Sequence, residues 1–108
     1  MNDTLKSLYE TVCERKENRQ EGSYTNYLFE QGLDKILKKC GEECAEVIIA
    51  AKNDDKNEIV PEIADLIYHL TVLMAQKGVK IEDLDAELSA RSAKIGNLKT
   101  MKVTDKNT

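Results

Sequence analysis

Two long, apolar-periodic segments separated only by a short polar connector, Asn53 to Asn57, limit the folds open to this chain. A connector of that length joins antiparallel helices. Glu43 and Glu46 stand three apart on the first segment, from about Leu33 to Lys52, and Glu62 and Asp65 do the same on the second, from about Asn57 to Lys77. Residues three apart share one helical face, so each pair points one way. Glu46 lies about six residues before the first helix ends and Glu62 about five after the second begins, at roughly 1.5 Å per residue, so the two pairs fall at one level. With axes about 8–10 Å apart, four carboxylates converge on a volume where their repulsion is costly without a cation. Oxygen donors with no His or Cys among them suit a hard divalent ion, Mg²⁺ or Mn²⁺.

The first long segment carries an apolar stripe of Leu33, Ile36, Leu37, Cys40, Cys44, Val47, Ile48 and Ala51, which is expected to face the core. Lys35, Lys39, Glu42, Glu43 and Glu46 gather on another sector. Solvated ion pairing explains that sector poorly, because Lys39 preceding Glu43 by four is the weaker orientation of such a pair, worth a few tenths of a kcal/mol. The second long segment is apolar over well over half its girth, through Ile59, Val60, Ile63, Ala64, Leu66, Ile67, Leu70, Leu73 and Met74. Such a helix is expected to be mostly buried. Against it Glu58, Glu62, Asp65, His69 and Gln76 form a narrow polar line. Unpaired charges on a buried helix cost several kcal/mol each, which favours a functional role for Glu62 and Asp65; His69, one turn beyond Asp65, is equally accounted for as its hydrogen-bond partner. Pro61 is expected within the first helical turn, where its missing N–H is not needed.

Toward the N-terminus, Asp3 or Thr4 is placed to cap a helix bearing Leu5, Leu8 and Val12, which should fade into the charged run Glu14 to Glu21 before Gly22. Ser23 or Thr25 can cap a short helix exposing Tyr24, Leu28 and Phe29, with Gly32 as a bend. Its hydroxyl-rich start, Ser23, Tyr24 and Thr25, lies just before the acidic helix and is a candidate substrate contact; the competing reading is a packing connector. A last helix is expected from about Ile81 to Ala93, with Leu84, Leu88 and Ile95 inward and Arg91 in its final turn. The polar stretch from Asn97 lacks apolar periodicity and is expected to be a mobile tail, leaving residues 1–96 as one helical domain.

At 108 residues, with one Pro, five Gly and 33% charged residues, the chain suits a single all-α domain of four to five helices. The second long helix has more apolar surface than a monomer of this length can cover, so a homodimer is expected. No run approaches the roughly eighteen apolar residues of a membrane span, and the N-terminal residues lack a signal pattern, so a cytoplasmic protein with reduced thiols is expected. Cys40 and Cys44 align with the apolar stripe and read as packing residues rather than soft-metal ligands, and Cys13 reads the same way. A net charge of −4 disfavours nucleic-acid binding. A small phosphorylated substrate remains compatible once a metal reverses the local sign.

These residues carry a resemblance. SYT followed by LF and G, then KKCGEECAEVIIAAKN and ADLIYHLTVLMA, resemble the phosphoribosyl-ATP pyrophosphohydrolase family within the all-α MazG-type nucleotide pyrophosphatases, over about Ser23 to Ser92. Glu43, Glu46, Glu62 and Asp65 match the superfamily's Mg²⁺-binding pattern. The resemblance implies hydrolysis of phosphoribosyl-ATP between its α and β phosphates, giving phosphoribosyl-AMP and pyrophosphate in the second step of histidine biosynthesis. It implies that Glu43 or Glu46 is the catalytic base and that Lys38 and Lys39 are basic substrate contacts; Lys39, on the acidic sector, is the better placed. Ser23, Tyr24, Thr25 and Arg91 complete the candidate substrate contacts. Cys40 and Pro61 depart from the expected pattern, and neither removes a ligand. Alternatives are a house-cleaning nucleoside triphosphate pyrophosphatase sharing the metal site, a non-catalytic helical dimer with solvated acids, and a di-iron carboxylate bundle. The last would want Glu-x-x-His pairs, whereas the sole His follows Asp65 by four.

Overall fold

The computed structural model describes residues 2–93. They form five helices: α1 (Asn2–Glu17), α2 (Tyr24–Gln31), α3 (Leu33–Lys52), α4 (Lys56–Lys77) and α5 (Ile81–Ser92), with no strand among them. The all-α expectation holds, and Ile95 and the stretch from Asn97 lie outside the described residues. The α3–α4 hairpin is the most extensive packing; α1 lies on α4, and α2 bridges α1, α3 and α4.

Local chemistry sets the hairpin. Asp54 takes the left-handed conformation (φ 53°), which Asp tolerates better than most residues, and the Asp55 carboxylate accepts the Asn57 N–H at 2.9 Å as the α4 N-cap. Gly78 closes α4 in the left-handed region, with the Val79 N–H donated to the Met74 carbonyl. A side chain at that φ would be strained.

One small core ties four helices together: Val12 from α1, Leu28 from α2, Ile36 and Cys40 from α3, and Val72 and Ala75 from α4. Polar clasps reinforce it. Tyr9 donates its hydroxyl to the Val79 carbonyl and Lys16 its ammonium to the Ala75 carbonyl, binding α1 to the end of α4. Buried Asn26 donates to the Arg15 carbonyl and accepts from the Gln20 N–H, fixing the α1–α2 connection.

Several expectations are corrected. Asp3 and Thr4 lie inside α1, which runs unbroken to Glu17. Leu28 is fully buried rather than exposed. Because α4 begins at Lys56, Pro61 is in its second turn; the Asn57 carbonyl loses its helical donor, which water can replace because that residue is exposed. On α3 the buried line is Ile36, Cys40, Glu43 and Ala50, while Leu37, Cys44, Ile48 and Ala51 stay exposed. Helix α4 buries His69, Thr71, Val72 and Ala75 and leaves Val60, Ile63, Ile67 and Leu70 exposed. Helix α3 is apolar on two sides, and among the described residues only the side that meets α4 and α2 is covered. Helix α5 has no buried residue, so Leu84 and Leu88 are not core.

Candidate active site

Glu43 falls on the inward line of α3, one turn after Cys40, and is only 9% exposed. Across the hairpin, Glu62 and Asp65 of α4 face it. One carboxylate oxygen from each of the three lies within 4.8 Å of the others. Lys39, one turn earlier on α3, places its ammonium 3.7 Å from Glu43 Oε1 and 3.9 Å from Glu42 Oε2. These separations exceed hydrogen-bond length, so Lys39 is loosely held beside Glu43, the buried member of the acidic cluster. Partial burial, then the charges of Glu46, Asp65 and Glu43, push the Glu62 carboxyl above its ordinary range. Glu46 stands outside the tight triad, exposed, in a groove of about 340 Å³ shared with Ile49, Ala50, Glu58, Pro61 and Glu62.

The first turn of α2 meets α4 one turn beyond Asp65. The Ser23 hydroxyl caps α2 by accepting the Asn26 N–H. Tyr24 Oη lies 3.1 Å from His69 Nε2, and the Thr25 hydroxyl is hydrogen-bonded to that of Tyr68. The rings of Tyr24 and Tyr68 stack at 6.1 Å and those of Tyr24 and Tyr27 at 6.0 Å, with Lys35 over Tyr27. Burial raises the Tyr24 phenol; the charge of Lys39 opposes this, and Tyr68, Glu43 and Tyr27 add to it. Tyr24 therefore stands in the field of the acid–lysine cluster. It also lines a hollow of about 390 Å³ with Arg19, Ser23, Asn26, Tyr27 and Glu30.

Of the residues singled out from sequence, the structure gathers Glu43, Glu62, Asp65 and Lys39, with Glu46 at the margin and Tyr24 joined to the next turn of α4 through His69. Ser23 and Thr25 are engaged in holding α2. Lys38 points to solvent. Arg91 pairs with Glu87 on its own helix at 2.9 Å and is not among the gathered groups. Sequence reasoning missed the tie of His69 to Tyr24 and the part played by Tyr68; the adjacent Tyr68 and His69 on the polar side of α4 were the available signal.

The fold and site define an all-helical protein with an acidic, cation-ready cluster between two antiparallel helices. The phosphoribosyl-ATP pyrophosphohydrolase family matches residues 5–92. The chain belongs to that family. It is similar to proteins named phosphoribosyl-ATP pyrophosphatase from Clostridium novyi (strain NT), 56% identical over 90% of this chain and 88% of the relative; from Bacillus thuringiensis (strain Al Hakam), 54% identical over 91% and 92%; and from Streptococcus thermophilus (strain ATCC BAA-491 / LMD-9), 56% identical over 94% and 98%.

Proposed function

We propose that the chain hydrolyses phosphoribosyl-ATP to phosphoribosyl-AMP and pyrophosphate, the second step of histidine biosynthesis, with Mg²⁺ as cofactor and Mn²⁺ as a substitute. The observation that carries this is the convergence of Glu43, Glu62 and Asp65 within 4.8 Å in a chain of this family. The donor set fits the ion: three carboxylates from two helices, one of them buried, with Lys39 the one cation paired to any of them among the described residues. Glu43, Glu62 and Asp65 would hold it, with Glu46 as a fourth donor. When bound, Mg²⁺ supplies Lewis-acid polarisation of the substrate's phosphate oxygens.

The protein's own groups do the rest. Lys39 contacts the phosphate chain and offsets charge that builds on its oxygens. Glu43 or Glu46 takes the proton of the attacking water as its oxygen bonds to phosphorus, the α–β bridging bond breaks and pyrophosphate leaves. Glu46, outside the triad and open to solvent, is the freer of the two to accept it. Ser23 and Thr25 shape the α2 edge of the site. The enzyme is read as cytoplasmic because a phosphorylated nucleotide does not cross membranes unaided.

The active form is a homodimer. Ile48 on α3 is 63% exposed and Val60 on α4 57%, and Leu37, Ile49, Ile63, Ile67 and Leu70 are exposed as well; a second copy would cover apolar area of this kind. Comparing pyrophosphate release from phosphoribosyl-ATP with that from ordinary and noncanonical nucleoside triphosphates, with and without Mg²⁺, tests the activity. Preference for phosphoribosyl-ATP and dependence on Mg²⁺ are expected. Equal or faster cleavage of the triphosphates would refute the substrate assignment.

A further inference from the structure

His69 is 5% exposed, and both of its ring nitrogens are engaged. Nδ1 lies 2.8 Å from the carbonyl oxygen of Asp65, four residues earlier on α4. A carbonyl only accepts, so Nδ1 carries the proton. In the neutral ring Nε2 then presents a lone pair, and the Tyr24 hydroxyl, 3.1 Å away, is the donor. The imidazole is further walled by Tyr24 and Tyr68, both packed edge to face against it at 5.8 and 5.0 Å. Backbone and packing thus determine its tautomer and orientation, and through them where the Tyr24 hydroxyl points.

Packing alone does not account for this. Leu28 already buries α2 completely at its own position, and the Thr25–Tyr68 hydrogen bond pins the same helical turn. Tyr24 itself is 45% exposed, so an imidazole withdrawn from water is being used to aim a side chain that remains accessible. Through His69 that side chain is held one turn of α4 beyond Asp65, a member of the acidic cluster.

We infer that His69 is a positioning residue for substrate binding: it holds the phenol of Tyr24 at the edge of the acidic cluster, where Tyr24 contacts the nucleotide. This rests on the proposed phosphoribosyl-ATP activity and adds to it a role for two residues that are not metal ligands. Because the Tyr24 proton is committed to His69, the phenol oxygen meets the substrate as an acceptor, which suits a sugar hydroxyl or a base N–H rather than a phosphate oxygen.

The test is steady-state pyrophosphate release from phosphoribosyl-ATP by wild type, Tyr24→Phe, His69→Leu, the double variant and His69→Gln, whose side-chain carbonyl can accept the Tyr24 hydroxyl. Loss of one neutral hydrogen bond predicts a rise in KM of about three- to tenfold in Tyr24→Phe, with kcat changed far less. His69→Leu should show the same rise, the double variant no further rise, and His69→Gln a KM nearer wild type. Additive effects of the two single variants, an unmoved KM in Tyr24→Phe, or a loss confined to melting temperature in His69→Leu would overturn the positioning role while leaving the activity standing. A wild-type chain that releases no pyrophosphate from phosphoribosyl-ATP would overturn both.

Discussion

Replacing Lys39 by Ala separates two roles for this residue by their magnitudes. Its ammonium sits 3.7 Å from Glu43 and 3.9 Å from Glu42, beyond hydrogen-bond contact, and Lys39 precedes its partners along the helix, the weaker order. A pair of this kind contributes about 0.3–0.5 kcal/mol. At about 4–8 °C per kcal/mol for a domain of this size, the variant should melt no more than about 2–4 °C below wild type. If Lys39 contacts the phosphates, turnover loses a hydrogen bond to a charged group, about 1.5–3 kcal/mol, which is about 10- to 150-fold in kcat/KM. Lys38→Ala, altering an exposed side chain on the same helix, is the control and should change kcat/KM less than Lys39→Ala. The assay is pyrophosphate release at a series of phosphoribosyl-ATP concentrations, beside thermal melting without metal. A Lys39→Ala protein that loses 10 °C of melting temperature yet retains its kcat/KM would refute the phosphate assignment and leave a salt bridge in its place.

Other consequences can be checked separately. Ile48→Asp should weaken self-association: burying the exposed 63% of Ile48 is worth about 1–2 kcal/mol per copy, counted twice across a two-fold axis, so sedimentation at micromolar concentration should show monomer appearing while helicity persists; an active wild-type monomer would sink the dimer. Pro61→Ala should raise the melting temperature, since it restores a donor to the Asn57 carbonyl in the second turn of α4 and removes a poor helix former; a lower melting temperature would show that the proline fits its position without cost. Glu62→Gln should be more stable than wild type without metal at neutral pH, and the gap should close on acidification. The sign follows from the raised folded-state pKa of Glu62: the folded chain holds this proton more tightly than the unfolded chain, so stability is full below the unfolded value and is lost as pH rises through the folded one. A gap that widens in acid would contradict this.

The two long helices and their connector were legible because apolar periodicity and turn chemistry are local properties. The acids were legible for the same reason: spacings of three and a short hairpin bring Glu43, Glu62 and Asp65 to one level. Which apolar side of α3 faces inward was not. Leu37, Cys44 and Ile48 are as regularly spaced as Ile36, Cys40 and Ala50, and spacing does not distinguish a surface buried within one chain from one left for a neighbour. The inward position of Glu43 depends on that rotation. Nor could spacing show that Tyr24 reaches His69, because the two are 45 residues apart in the chain and meet only once Leu28 has docked α2 into the core.

Whether the clustered carboxylates hold a divalent ion for hydrolysis is decided by Glu43→Gln, Glu46→Gln, Glu62→Gln and Asp65→Asn, each measured for pyrophosphate release and for melting temperature with and without Mg²⁺. A metal site predicts that each variant loses nearly all Mg²⁺-dependent release, melts no lower than wild type without the ion because like charges have been removed, and gains less from adding it. Acids that served only in buried salt bridges would behave in the opposite way, since removing one charge strands its partner at about 3–5 kcal/mol; four destabilised variants that still release pyrophosphate would contradict the metal site.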